Sequence, residues 1–207
     1  MEIARSLSNI ASELNTATTK QTELNQKIAN IRDKIDSSLK PSWDRASRSV
    51  SESQRSIGTT PAEIAENLLY AAQSCCDAVD RVPINAQPDG IKVLEESTRL
   101  LIDIIMAVPD KSEREKTLQK VMGIINSHLI VAEHCQDIEK KQSLRSRYTK
   151  IRSQIIETYL GTNSLIRILT HETTDIIVIS GIDFDRKDLL VFLTERLREE
   201  KNIPALA

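Results

Sequence analysis

Three histidines (His128, His134, His171) and three cysteines (Cys75, Cys76, Cys135) are the side chains of this chain best suited to metal binding or nucleophilic attack. The histidines have no ligand spacing among themselves. His134–Cys135 and Cys75–Cys76 meet at a zinc ion only if antiparallel helices bring the two pairs together. Adjacent helical residues point about 100° apart, so one member of each pair faces any given site. No metal is expected, and thiols acting as small apolar core residues are the simpler reading. An odd cysteine count in apolar helical context suits a reducing, cytoplasmic setting, and a nuclear one stays open.

Other chemistry finds little material. The sequence contains no GxxxxGK[ST], GxGxxG, GxSxG or HExxH pattern and no EF-hand loop. Five glycines supply few phosphate-cradling turns. Glu95-Glu96 reads as a solvated helical flank. No acid, base and nucleophile converge, no cofactor is implied, and enzymatic activity is not expected.

The densest charge is basic. Lys140, Lys141, Arg145, Arg147, Lys150 and Arg152 fall within 13 residues that contain no acid. On a helix they flank both sides of the stripe Leu144, Tyr148, Ile151, Ile155. Cations on both rims of an apolar stripe are what ordinary snorkelling produces. The same arrangement would suit phosphates along RNA or an acidic partner groove. Net charge runs +2, −6, +4 and −2 over residues 1–60, 61–110, 111–160 and 161–207. That alternation favours complementary neighbouring helices over a polyanion-binding domain.

The elements that must position these residues begin with the first 39. Ile3, Leu7, Ile10, Leu14, Ala17, Gln21, Leu24, Ile28, Ile31 and Ile35 alternate steps of four and three. This 3.5-residue repeat keeps an apolar seam against a partner helix. Leu at a with Ile at d in the first half favours a trimer or tetramer, and a dimer remains open. Ala17 and Gln21 form a weak centre, and Gln21 at an a position can set register. Packing of this helix on the chain's own bundle is the competing arrangement.

Residues 40–59 read as a hinge. Pro41 stops the first helix. Serines then interleave with Arg45, Arg48 and Arg55, as in a solvated connector or an RNA-contacting, phosphorylation-tuned segment. Trp43 is the only tryptophan, and its position there suggests that it docks on the bundle or a partner.

Residues 60–207 read as an antiparallel helical bundle. Thr60-Pro61-Ala62-Glu63 is a capping box that opens a helix with Cys75 and Val79 on its apolar face, closed by Pro83. A second helix is expected from about Asp89 to Val108, burying Ile91, Leu94, Leu101, Ile105 and Met106. Ser112 with Glu115 reads as the cap of a third, whose face runs from Leu118 to Cys135 and Ile138. Whether residues 112–160 form one helix or two, with a break near Gln142-Ser143, is open at this level. Asn163–Leu169 is expected to fold back, and a last helix from about Asp185 to bury Leu189, Leu190, Phe192, Leu193 and Leu197.

The fold class is therefore all-α, with a possible extended segment near 175–180. Asp175–Ser180 is β-branched, but no second strand is evident, so a buried connector is favoured over a strand completed by another chain. The longest apolar runs fall well short of the roughly 18–20 residues that cross a bilayer, and the N-terminus has no signal-peptide core. The architecture points to a non-enzymatic, self-associating scaffold that displays a protein-binding bundle in several copies. Such a layout suits an adaptor, an assembly factor or a viral structural or nucleocapsid-associated cofactor. RNA binding through residues 140–152 and the hinge arginines is one alternative, and a membrane-trafficking tether is another.

Overall fold

The computed structural model of the chain describes residues 75–82, 88–108 and 110–201, and the single positions Glu23, Gln26, Leu69, Ala72 and Gln73. The ten-residue heptad seam, the hinge and the Thr60 capping box lie outside the described residues. The described part is mostly helical with one small sheet. After a helical run over residues 75–81 come α1 (Pro88–Ala107), α2 (Lys111–Glu133), α3 (Ile138–Leu160) and α4 (Thr162–His171). A hairpin of β1 (Ile176–Ile179) and β2 (Ile182–Asp185) leads into α5 (Arg186–Lys201).

The central element is α3, which packs on α1, α2, α4 and α5. Its Tyr148, Ile151, Ile155 and Ile156 are buried at steps of three, four and one, the spacing that lines one helical face. They meet Leu100, Leu101, Ile104 and Ile105 of α1 and Leu118, Val121, Met122 and Ile125 of α2 in one core. Each such aliphatic side chain contributes about 1.5–3 kcal/mol by leaving water.

Aspartates cap α2, α3 and α5. Asp110 Oδ1 accepts from Glu113 N at 2.9 Å, Asp137 Oδ1 from Lys140 N at 3.0 Å, and Asp185 Oδ1 from Lys187 N at 2.8 Å. Asp110 and not Ser112 therefore caps α2, because Ser112 already lies inside the helix. Residues 112–160 form two helices, α2 and α3. The break falls at residues 134–137 and leaves Gln142-Ser143 within α3. No Gly or Pro marks this break, which Asp137 makes by supplying a new cap.

Several residues expected inside are outside. Ile138 is 71% exposed, and Cys135 lies in the turn before it. Ile91 is 50% exposed, and Met106, Leu190 and Leu197 are also exposed.

The expectation of no second strand is overturned. Ile176–Ile179 pairs antiparallel with Ile182–Asp185 through a two-residue turn, Ser180-Gly181. Both turn residues have positive φ, 50° and 75°, which is the type I′ hairpin geometry that matches strand twist. β2 alternates Ile182 and Phe184 inward with Asp183 and Asp185 outward, so only half of its side chains read as strand-like.

Candidate functional site

The polar groups of the bundle converge where the 75–81 run crosses α2 and α3. Tyr148 is fully buried, and its hydroxyl reaches the carbonyl of Cys76 at 2.9 Å and Oδ1 of Asp80 in a short hydrogen bond. A hydroxyl has one proton, so these two acceptors share it. His128 Nδ1 lies 2.7 Å from Asp80 Oδ2 and 3.2 Å from the Tyr148 hydroxyl, with the two rings 5.4 Å apart. Because Nδ1–H donates to Asp80, Nε2 is left to accept from the Gln73 amide at 2.8 Å. That amide also donates to Asp77 Oδ1 at 3.1 Å. Gln73, Asp77 and Asp80 thus present one face to α2, as steps of four and three require.

Burial sets the electrostatics here. It pushes the Cys75 and Cys76 thiols up, with Cys76 and Asp77 adding to the effect at Cys75, and Asp80 and Asp77 adding to it at Cys76. It pushes the Tyr148 phenol far up too, with Cys76 and Asp80 as the next causes. All three are therefore uncharged at physiological pH.

Beside the junction lies a cleft of about 360 Å³ lined by Asp80, His128, His134, Cys135, Lys140 and Leu144 among others. It does not assemble a thiol–imidazole pair. His128 Nε2 is directed at Gln73, and Cys135 lies beyond the end of α2 in the turn before α3. The His134 ring donates through Nδ1 to the Ile130 carbonyl at 2.7 Å. Cys75 and Cys76 are buried away from solvent. Among the described residues no group of three or more His, Cys, Asp or Glu is placed to hold a metal ion.

The six cations of residues 140–152 separate into different roles. Lys141 Nζ donates to the Glu133 carbonyl at 2.7 Å, closing the C-terminus of α2, and also pairs with the Glu133 carboxylate at 3.0 Å. Arg145 pairs with the same carboxylate at 3.3 Å. This bonding, led by Lys141, holds Glu133 below the usual carboxylate range. Arg147 Nη1 donates to the Val82 carbonyl at 3.0 Å and so closes the end of the 75–81 run. Arg152 Nη2 donates to the Asp183 carbonyl at 2.6 Å, and its guanidinium stacks 4.8 Å from the Phe184 ring centre. Desolvation lowers both the Arg147 and Arg152 pKa values.

Lys140 and Lys150 hold no side-chain ion pair among the described residues. Lys140 lines the cleft, and Lys150 lines a second groove of about 260 Å³ between α1, α3 and α5. Arg114 of α2 and Arg186 of α5 repeat the pattern at the ends of α1 and α4, donating to the Val108 and Glu172 carbonyls at 2.9 Å each. Helix C-termini leave carbonyls without intrahelical partners and attract cations, which explains why long basic side chains gather at these corners.

Sequence reasoning missed Asp77, Asp80 and Tyr148 as a unit. The available signal was the i, i+3 spacing of the two aspartates opposite a buried histidine and tyrosine. The fold and this junction define a helical bundle with a hairpin before its last described helix, clasped by polar groups to a preceding helical run. No protein-family model matches the chain, and no curated protein or solved structure is detectably similar to it. Among the described residues no helix is long and apolar enough to cross a membrane.

Proposed function

We propose that this chain is a non-enzymatic, self-associating scaffold. In this reading residues 1–39 form a homo-oligomeric coil, residues 40–59 a hinge, and the bundle a protein-binding module displayed in several copies. The observation that carries the reading is the 3.5-residue seam from Ile3 to Ile35, sustained over about five heptads, the length at which such a repeat argues a coiled coil. A supporting observation is the exposed apolar corner formed by Ile130, Val131 and Ile138 at the α2–α3 turn, beside the cleft. Apolar side chains grouped at one corner are the kind of surface that partners cover. The setting that fits is a reducing one.

Light scattering on the full chain tests this. The wild type is expected at the mass of a trimer or tetramer at micromolar concentration. Ile10→Asp or Ile28→Asp is expected to lower that mass while leaving the helical circular dichroism of the bundle in place. A wild-type monomer under these conditions overturns the proposal.

An RNA-binding reading rests on fewer cations than the sequence suggests. Four of the six in residues 140–152 are engaged by carbonyls or by Glu133, leaving Lys140, Lys150 and the hinge arginines to meet phosphates.

A further inference from the structure

We propose that the outer edge of β1 pairs with β1 of a second copy of this chain, forming a four-stranded antiparallel sheet about a two-fold axis. The argument starts from which backbone groups are already used. The pairing register sums to a constant, so Ile179 faces Ile182 next to the turn and Ile177 faces Phe184. Arg186 N donates to the Asp175 carbonyl at 2.8 Å, one step beyond the strands. Odd-numbered residues of β1 therefore make the hydrogen-bonded pairs, and the N–H and C=O of Ile176 and Val178 point away from β2. The Thr174 hydroxyl donates to the Ile176 carbonyl at 2.8 Å, while Val178 N–H and C=O have no partner among the described residues.

Only an extended backbone offers donors and acceptors at this spacing, so the occupant is a strand. The charges on the hairpin decide which one. β2 displays Asp183 and Asp185 outward, and its Asp183 carbonyl is already held by Arg152, so that edge is partly occupied and acidic. β1 carries no charge, and its solvent-facing side chains are Ile176, 51% exposed, and Val178, 65% exposed. It lacks the lysine, proline or bulge that guards natural edges.

Antiparallel self-pairing centred on Ile177 sets Ile176 of each copy against Val178 of the other. Those pairs are apolar, and their outward groups satisfy one another. The two acidic rows then lie on the outermost strands, three strand spacings or about 14 Å apart, so no carboxylates oppose. Such an isologous contact closes as a dimer. It is independent of the N-terminal coil, although a coil would raise its local concentration.

The test uses the full chain carrying Ile10→Asp and Ile28→Asp to remove the proposed coil, with sedimentation at about 100 μM. A dimer is expected, and adding Val178→Lys is expected to halve the mass with unchanged circular dichroism. Val191→Lys, which removes a half-exposed aliphatic residue from α5, is expected to leave the dimer intact. A monomer before Val178→Lys, a dimer that survives it, or equal dissociation by Val191→Lys overturns the proposal. If the unsubstituted chain is also a dimer that Val178→Lys separates, the coil reading fails and the edge contact stands.

Discussion

The hydroxyl of Tyr148 lies 2.9 Å from the carbonyl of Cys76, joining α3 to a helical turn 72 residues earlier. Because Asp80 and His128 share the same hydroxyl, the contact fixes a face of the 75–81 run and not a single point. Removing the oxygen by Tyr148→Phe leaves the partly exposed Asp80 with one donor fewer. The expected cost is about 1–3 kcal/mol, read from urea unfolding. A cycle with Asp80→Asn should give a coupling of about 0.5–3 kcal/mol; additive effects would mean that the two side chains do not act together.

Alkaline pH should weaken the same junction. Cys75, Cys76 and Tyr148 all have folded pKa values above their ordinary ones. Their contribution to stability is complete below the unfolded values, about 8.5 for a thiol and 10 for a phenol, and is lost as pH rises toward the folded values. Each group adds a slope of up to about 1.4 kcal/mol per pH unit within its window. Urea midpoints between pH 8 and 11 are expected to fall, less steeply in Cys75→Ala. Cys135, half-buried in a turn, is expected to react with a thiol reagent at pH 8 well before the other two.

Two glycines hold backbone shapes that other residues resist. Gly161 joins α3 to α4 at φ 85°, ψ 142°, and replacing it with Ala should cost about 1–3 kcal/mol. Gly181 has φ 75°, and a Cβ there would sit 3.3 Å from Gln119 Nε2, so Gly181→Ala should cost about 1–2 kcal/mol. Thermal unfolding of the two variants checks both values. Equal stability to the wild type at Gly181 would show that the turn is free to reshape.

The cations of α3 should divide by role when reversed. Arg152→Glu places a carboxylate against the Asp183 carbonyl and Phe184, and loss of several kcal/mol of stability is expected. Lys140→Glu with Lys150→Glu should leave stability within about 0.5 kcal/mol, as for most surface changes. The latter pair is therefore the clean probe of nucleic-acid binding at about 50 mM salt. If binding exists and persists in the double variant, these lysines do not contribute to it.

The sequence by itself determined the helical elements. Gly161 ends α3 where the sequence places a stop, and the buried stripe Leu144, Tyr148, Ile151 and Ile155 follows from 3.6-residue spacing, whereas the Asp110 and Asp137 caps and the break at residues 134–137 were decided by the structure. It also displayed the seam from Ile3 to Ile35, which lies outside the described residues.

The tertiary structure decided what depends on distant groups. The hairpin was hidden because Asp183 and Asp185 interrupt β2 with charge, and only its inward residues, Ile182 and Phe184, complete the core. The basic stretch read as one surface because Lys141, Arg147 and Arg152 are neighbours in sequence. Two helix ends and strand β2, brought from elsewhere, gave each a different carbonyl. The junction of Asp80, His128 and Tyr148 exists only once three helices cross, since a hydrogen bond reaches about 3 Å and periodicity carries no record of what lies opposite.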